Sequence, residues 1–368
     1  MSEKSARITS LPMIPPEEPH GAIDHAELRA LGLDPARVLD FSANINPYGP
    51  SPRVREALAA VDVARYPDRH ALDLRDALAA HHALEPDHIL VGNGTAELIW
   101  LVALAFLRPG DTALVLGPTF GEYARAARIA RGRVVEWRAR PEDHFAYHPD
   151  EIAAVLSTTA PRLCFLCSPN NPTGQICPPD ALAAWADAHP NTLFVVDEAY
   201  INFVPNLESA LALKRENILV LRSMTKDYAL AGLRLGYAVG PRPLVDALRR
   251  VQPPWSVNAA AQAAGLAALS DPDHLRATVA ATLAEKDIFV RRLRDLGLNV
   301  LPSRTHFFLV EVGDAGAFRS TLLARGILVR DCTSFGLPSY VRLSTRRPEE
   351  NQSLISNLQS LSSLETGD

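Results

Sequence analysis

The sequence has little of what marks secreted, membrane or nucleic-acid-binding proteins. Four cysteines in 368 residues are too few to suggest a disulfide framework. The longest apolar run, residues 98–107, is too short to span a bilayer and is typical of a buried helix. The net charge of −5 argues against nucleic-acid and acidic-membrane partners. Because residues 1–19 also lack the apolar core of a signal peptide, we expect a cytoplasmic protein.

Two of the cysteines imitate a redox pair. Cys164 and Cys167 have Cys-x-x-Cys spacing, but they lie in the run 162–168, which is typical of a buried strand. Residues three apart on a strand point to opposite faces of its sheet, so these thiols are not expected to meet. We interpret both as small buried hydrophobic side chains.

Short apolar segments alternate with helical segments through the middle of the chain. The predicted strands are 89–91, 112–116, 134–137, 163–166, 193–196 and 218–221. Apolar strands between helices predict an α/β fold, in which helices sandwich a mostly parallel sheet. A long helical stretch at 259–296 and short strands after it predict a smaller α+β domain. We therefore divide the chain into an N-terminal arm (1–50), a large cofactor-binding domain (51–255) and a small C-terminal domain (256–368).

Nucleotide-binding motifs are missing, but groups suited to a phosphate are present. Neither GxGxxG nor GxxxxGK[ST] occurs, which argues against a dinucleotide or nucleotide site. Ser223 and Arg234 flank Lys226 and can hold a phosphate, the arginine as a permanently charged forked donor. Gly94 and Thr95 follow a predicted strand and open a helix, whose free N–H groups and positive end favour an anion.

Further polar residues complete the requirements of one cofactor, pyridoxal 5′-phosphate. Lys226 can form a Schiff base, and Asp197, at the end of a predicted strand, can keep a pyridine nitrogen protonated. Asn171 and Tyr200 can bind the phenolic oxygen, and Phe120 can stack on the ring. The set predicts a pyridoxal phosphate enzyme with no metal.

Two other interpretations explain less of the sequence. Ser223-x-x-Lys226 occurs in serine acyl-transferases, but the SDN and KTG motifs of that class are missing. A cofactor-binding regulator would need a DNA-binding module, and the sequence shows none.

These motifs, in this order, resemble the fold type I pyridoxal phosphate enzymes of the class I/II aminotransferase superfamily over residues 20–360. The resemblance implies catalytic roles for Lys226, Asp197 and Tyr200, with Asn171 as a second ligand of the phenolic oxygen. It implies that the cofactor phosphate is held by Gly94, Thr95, Ser223 and Arg234. Tyr66 resembles the tyrosine that members lend to the partner subunit's cofactor phosphate, which implies a homodimer with shared active sites.

Two groups within the superfamily resemble the chain. The L-threonine-O-3-phosphate decarboxylases of cobalamin biosynthesis share His20-Gly21 and the segments 40–47 and 254–258, although Ala22 stands where a second glycine is usual. The histidinol-phosphate aminotransferases of histidine biosynthesis share the segments 46–50, 197–200 and 330–336.

Both groups act on a small phosphorylated amine or amino acid. We expect Arg330 and Arg342 to clamp its anionic group, with four further substrate contacts from His20, Gly21, Asn44 and Asn171. The three segments shared with the decarboxylases favour a carboxy-lyase that gives (R)-1-aminopropan-2-ol phosphate. The alternative is an aminotransferase that uses 2-oxoglutarate.

Overall fold

The structure, a computed structural model, describes residues 21–366. The helices of this part are α1 (His25–Ala30), α2 (Pro52–Ala59), α3 (Leu72–His82), α4 (Gly94–Phe106), α5 (Glu122–Ile129), α6 (Pro149–Thr159), α7 (Pro179–Ala188), α8 (Arg242–Val251), α9 (Ala259–Leu269), α10 (Pro272–Asp295), α11 (Ala315–Leu323) and α12 (Pro348–Thr366). The strands are β1 (Leu39–Asp40), β2 (Ile89–Gly92), β3 (Thr112–Gly117), β4 (Arg133–Arg138), β5 (Leu163–Cys167), β6 (Leu193–Asp197), β7 (Ile218–Ser223), β8 (Gly236–Val239), β9 (Asn299–Val300), β10 (Phe307–Glu311), β11 (Ile327–Leu328), β12 (Arg330–Asp331) and β13 (Tyr340–Ser344).

A seven-stranded sheet forms the centre of the large domain. Its order is β2-β8-β7-β6-β5-β3-β4, and the neighbours from β7 to β4 pair in parallel. Only β8 runs antiparallel to its neighbours in this sheet. The mostly parallel sheet confirms the predicted fold class. Sequence analysis missed β8, which is a buried strand of only four residues beginning with Gly236.

The two faces of this sheet carry separate apolar cores. Cys164 packs with Leu114 and Leu116 on one face, whereas Cys167 packs with Val115 on the other. Both cysteines are free and buried. The expectation that their thiols do not meet is therefore confirmed.

The small domain is built on an antiparallel sheet of order β12-β13-β10-β9. Helix α10 joins the domains, because Val279 lies in a core of the large domain while Phe289 and Leu293 lie in the core of the small one. Helix α9, which the sequence analysis assigned to the small domain, packs against α2 and α3. The exact division of the chain stays a prediction.

The apolar run at 98–107 forms most of α4, a helix of thirteen residues with six buried positions. It lies inside the large domain, as its composition predicts. Within residues 21–366, no helix combines the length and apolarity needed to cross a membrane.

Helix α4 offers a matched test of core packing. Leu98 is completely buried and Leu104 is 54% exposed on the same helix. We expect Leu98→Ala to lower the free energy of unfolding by about 2–5 kcal/mol, because it leaves a cavity. Leu104→Ala should change it by roughly 0.5 kcal/mol or less. Urea unfolding followed by circular dichroism measures both, and equal losses would contradict this description of the core.

Candidate active site

A cleft of about 420 Å³ opens where the strands of the large sheet end. Its walls come from the segments after β3, β5, β6 and β7, from the start of α4, from β13 and from the N-terminal segment. In sheets of this kind the carboxyl ends of parallel strands meet at one edge, which explains why residues far apart in sequence converge. The predicted site residues that line the cleft are Gly21, Asn44, Thr95, Phe120, Asn171, Asp197, Tyr200, Lys226, Arg234 and Arg342.

The Lys226 side chain lies among charged groups in this cleft. Burial lowers the pKa of its amine to about 8, and the positive charges of Arg342 and Arg234 act in the same direction. Asp197 opposes them, because its negative charge favours the protonated amine. The result is an amine that is partly neutral near physiological pH and therefore able to act as a nucleophile or base.

Asp197 is held rigidly at the end of β6. Its Oδ2 accepts a hydrogen bond of 2.8 Å from the Tyr123 hydroxyl, and its Oδ1 accepts one of 3.0 Å from the Ala199 N–H. Burial raises the pKa of this carboxyl to about 6, although both hydrogen bonds favour its charged form. Tyr123, which sequence analysis did not select, stands three residues after Phe120 at the start of α5.

An anion cradle surrounds the start of α4. Gly94 has a φ of +76°, and a Cβ at this position would lie 2.9 Å from Nη2 of Arg234. Ser223 and Thr225 are buried, and their hydroxyl oxygens are 2.7 Å apart. Thr225 was missed by sequence analysis, although its place directly before Lys226 was a usable signal. Hydroxyls, a guanidinium and a helix N-terminus together suit a phosphate.

Arg342 connects β13 to the opposite walls of the cleft. Its buried guanidinium donates hydrogen bonds to Asn171 Oδ1 and to the Ser42 carbonyl. Gly21 lies against it, because a Cβ there would come within 2.9 Å of Arg342 Nη2 and would collide with the Ser42 carbonyl. Nearby, Asn44 Nδ2 donates to the Tyr200 hydroxyl at 3.4 Å. These contacts bring Arg342 and four other predicted residues to one wall of the cleft: Gly21, Asn44, Asn171 and Tyr200.

Arg330 takes a different position from the one expected. It pairs with Arg342 across β12 and β13, but it donates to the Ser334 hydroxyl at 2.6 Å and lies over the Phe335 ring. It is not among the residues that line the cleft. Burial, with the charge of Arg342, lowers the pKa of Arg330 to about 10. Of the two predicted clamp arginines, Arg342 therefore lines the cleft and Arg330 does not.

Three other residues lie apart from the cleft walls or outside the described residues: the predicted site residues Tyr66 and His20, and His306. Tyr66 is 82% exposed, and its ring centroid is 4.9 Å from that of Trp255. His306 is completely buried, with its ring 3.6 Å from Phe203, and it does not line the cleft. His20 lies outside the described residues.

Asn46 supports the lysine from behind. Its backbone N–H donates to the Lys226 carbonyl at 2.9 Å, and its Nδ2 donates to the Asp227 carbonyl at 2.9 Å and to Thr278 Oγ1 at 2.8 Å. These bonds fix the lysine loop against the N-terminal segment and α10. The sequence analysis quoted Asn46 only as part of a family motif.

The chemistry of these donors fits pyridoxal phosphate. A lysine amine with a lowered pKa and a buried carboxylate face the same cleft as an aromatic side chain and an anion cradle. Among residues 21–366, no group of three or more His, Cys, Asp or Glu side chains is arranged to hold a metal ion.

Comparisons with known proteins identify the family. A sequence profile described as aminotransferase class I and II matches residues 36–358. The chain is 38% identical to histidinol-phosphate aminotransferase 2 of Ralstonia nicotianae, over 90% of this chain and 91% of that protein. It is 37% identical to histidinol-phosphate aminotransferase of Halorubrum lacusprofundi, over 90% of each.

Solved structures show the same fold. Histidinol-phosphate aminotransferase from Sinorhizobium meliloti, in complex with pyridoxal 5′-phosphate, superposes with a TM-score of 0.84 at 26% identity, over 98% of this chain and 99% of that one. L-Threonine-O-3-phosphate decarboxylase from Porphyromonas gingivalis superposes with a TM-score of 0.78 at 29% identity, over 87% of this chain and 98% of that one.

The prediction that favoured the decarboxylase is wrong, because the sequence relatives at 37–38% identity are histidinol-phosphate aminotransferases. The segments that favoured it have structural contacts that do not select a reaction. Asn46 binds the lysine loop, Asn258 caps α9 through Ala261 N–H, and Trp255 lies against Tyr66. The chain belongs to the aminotransferase class I and II family, whose enzymes depend on pyridoxal 5′-phosphate.

Proposed function

We propose that this enzyme transfers the amino group of L-histidinol phosphate to 2-oxoglutarate, giving the corresponding keto phosphate and glutamate. The observation that carries the proposal is the similarity to histidinol-phosphate aminotransferases. The identity is 34–38%, and each alignment covers at least 90% of this chain and of the relative. The charges of the cleft agree with it, since both substrates are anionic and the cleft presents Lys226, Arg234 and Arg342.

The proposed cofactor site uses the predicted residues together with Thr225. The phosphate would be held by Gly94, Thr95, Ser223, Thr225 and Arg234. Asp197 would face the pyridine nitrogen, Asn171 and Tyr200 the phenolic oxygen, and Phe120 the ring. When bound, pyridoxal phosphate supplies an electron sink for the bonds at the substrate's Cα.

Lys226 is the proposed acid and base. Its Nζ takes the proton from the substrate's Cα and gives a proton back later in the reaction. This double role favours a pKa near the working pH. The pKa of about 8 meets this requirement. The Asn46 N–H binds the Lys226 carbonyl, so the backbone of Lys226 is fixed while its side chain can change position.

Arg342 is the proposed anion-binding residue for both substrates. It alternately meets the phosphate of the amino donor and a carboxylate of 2-oxoglutarate, both of which suit a forked guanidinium. Asn171 and the Ser42 carbonyl orient it. Asn44 and Gly21 complete the proposed substrate wall, and Arg330 stabilises the small sheet beside it. His20, outside the described residues, stays a predicted substrate contact.

We also propose a homodimer. Tyr66 is exposed and lies outside the cleft of its own chain, as expected for a side chain that reaches a partner's cofactor phosphate.

The reaction itself is tested by assay of the holoenzyme. We expect glutamate to form only when histidinol phosphate and 2-oxoglutarate are both present. L-Threonine O-3-phosphate serves as the control, with carbon dioxide release as the readout. Carbon dioxide release without a keto acid, together with no glutamate formation, would refute the aminotransferase.

The pKa of Lys226 is tested by cofactor uptake. The neutral amine attacks the cofactor aldehyde, so the uptake rate of cofactor-free protein should rise about tenfold per pH unit below pH 8 and level off above it. Borohydride trapping followed by peptide mapping measures this rate. Lys226→Ala is the control and should trap nothing; a rate that still rises steeply above pH 9 would contradict the lowered pKa.

The role of Arg342 is tested by Arg342→Ala. Loss of a buried guanidinium that meets an anion should cost about 2–4 kcal/mol, or roughly 30- to 1000-fold in kcat/KM, for both substrates. The cofactor absorbance should remain. Arg325→Ala, an exposed change in the small domain, is the matched control. If Arg342→Ala lowers kcat/KM no more than Arg325→Ala does, Arg342 does not bind the substrate.

A further inference from the structure

One charged pair on the wall of the cleft has no role in the chemistry proposed above. Glu122 and Arg125 both line the cleft, and both lie in the first half of α5. Residues three apart on a helix lie on the same side, so their side chains can meet. The other charged residues that line the cleft, among residues 21–366, already have proposed roles: Asp197, Lys226, Arg234 and Arg342.

Trp100, on α4, holds the Glu122 carboxylate in place. Its indole Nε1 donates to Glu122 Oε2 at 3.0 Å, and the Glu122 side chain is only 3% exposed. The first position of a helix also suits a negative charge, because the helix N-terminus is positive. A carboxylate can accept roughly four hydrogen bonds, so Glu122 can accept one from a ligand while it keeps Trp100 and Arg125.

Arg125 is held less tightly than Glu122. Its Nη1 donates to Glu122 Oε1 at 3.4 Å, which is longer than the about 2.7–2.9 Å that is usual between charged groups. Its guanidinium carbon lies 5.4 Å from the centre of the Trp100 ring, and its side chain is 21% exposed. The bond to Glu122 uses one of several N–H donors, so the guanidinium can also donate to a ligand in the cleft.

The proposed reaction requires the cleft to accept two different substrates in turn. Each brings one anion for Arg342, a phosphate in histidinol phosphate and a carboxylate in 2-oxoglutarate. At its other end histidinol phosphate carries an imidazole, whose N–H needs an acceptor, whereas 2-oxoglutarate carries a second carboxylate, which needs a donor. A lone arginine would repel a protonated imidazole, and a lone glutamate would repel the carboxylate.

We propose that Glu122 and Arg125 form the subsite for these distal groups, an inference that rests on the function proposed above. The Glu122 carboxylate accepts the imidazole N–H of the amino donor, and the Arg125 guanidinium donates to the distal carboxylate of 2-oxoglutarate. Arg342 lies on β13 of the small sheet, whereas α5 packs against β3 and β4 of the large sheet. The two ends of each substrate therefore meet different walls of the cleft.

The two half-reactions of the holoenzyme test the two residues separately. We expect Arg125→Gln to lower kcat/KM for 2-oxoglutarate by about 10- to 100-fold, because a charged donor is lost, with little change for histidinol phosphate. Glu122→Gln should show the reverse preference and lower kcat/KM for histidinol phosphate by about 5- to 30-fold. Arg128→Gln, an exposed change on α5 outside the cleft, is the matched control and should alter neither. The change in cofactor absorbance with each substrate alone measures each half-reaction.

Ligand binding gives a second readout that needs no turnover. Glutarate and pentanoate have the same carbon chain and differ by one carboxylate. The wild-type holoenzyme should bind glutarate more tightly than pentanoate by about 10- to 100-fold, whereas Arg125→Gln should bind the two alike. Arg125→Lys keeps the positive charge and should retain part of the preference. Isothermal titration calorimetry measures the dissociation constants.

Two results would overturn the proposal. One is an equal loss of kcat/KM for both substrates in Arg125→Gln and in Glu122→Gln, which would mean that the pair only supports α5. The other is a glutarate preference that is missing in the wild type or unchanged in Arg125→Gln. Failure to form glutamate from histidinol phosphate would instead refute the proposed function, and the glutarate comparison would still decide whether Arg125 binds a distal carboxylate.

Discussion

The contact on which the active-site region depends most is the one that the Arg342 guanidinium makes with two neutral oxygens. Asn171 Oδ1 follows the large sheet, and the Ser42 carbonyl belongs to the N-terminal segment, while Arg342 itself belongs to the small domain. One side chain thus brings three distant parts of the chain together. Since neither acceptor is charged, these hydrogen bonds do not neutralise the guanidinium, whose positive charge is offset only in part by the more distant Asp40. The region as a whole therefore attracts anions.

The same reasoning explains the state of Lys226. A buried amine beside two arginines loses its proton more easily, and Asp197 only partly restores the balance. Asp197 in turn stays largely ionised at neutral pH, because the Tyr123 hydroxyl and the Ala199 N–H offset the cost of its burial. The pKa values of Lys226 and Asp197 therefore come from mutual effects among charges that only the tertiary structure brings together.

Much of this structure was predictable from local patterns. The strands of the large sheet are continuous apolar runs, the stretch after residue 258 is rich in helix-forming residues, and Lys226 and Asp197 stand beside strands that end at the cleft. Strand β8 was missed because glycine and alanine, which are depleted in strands, make up two of its four residues. Thr225 lay beside the lysine but was passed over in favour of Ser223, although both hydroxyls lie in the cradle.

Other features depended on information that spacing does not contain. Arg330 and Arg342 are equally plausible clamp residues in the sequence. The structure separates them, because Arg342 lines the cleft whereas Arg330 is held by Ser334 and Phe335. The choice between two reactions on similar substrates failed for a related reason. The segments taken as signs of decarboxylation include Asn46 and Asn258, whose observed contacts support the scaffold.

Helix α10 is a rigid connection between the two domains. Its 24 residues extend about 36 Å without interruption, and its two halves are embedded in different cores. A continuous helix resists bending, so α10 couples the positions of the two domains, together with the contacts of Arg342. Thr278, in the half of α10 that packs in the large domain, accepts a hydrogen bond from the Asn46 side chain. The backbone N–H of Asn46 in turn donates to the Lys226 carbonyl. A shift of α10 relative to the large sheet would therefore move Asn46, and with it the backbone of Lys226, the proposed acid and base.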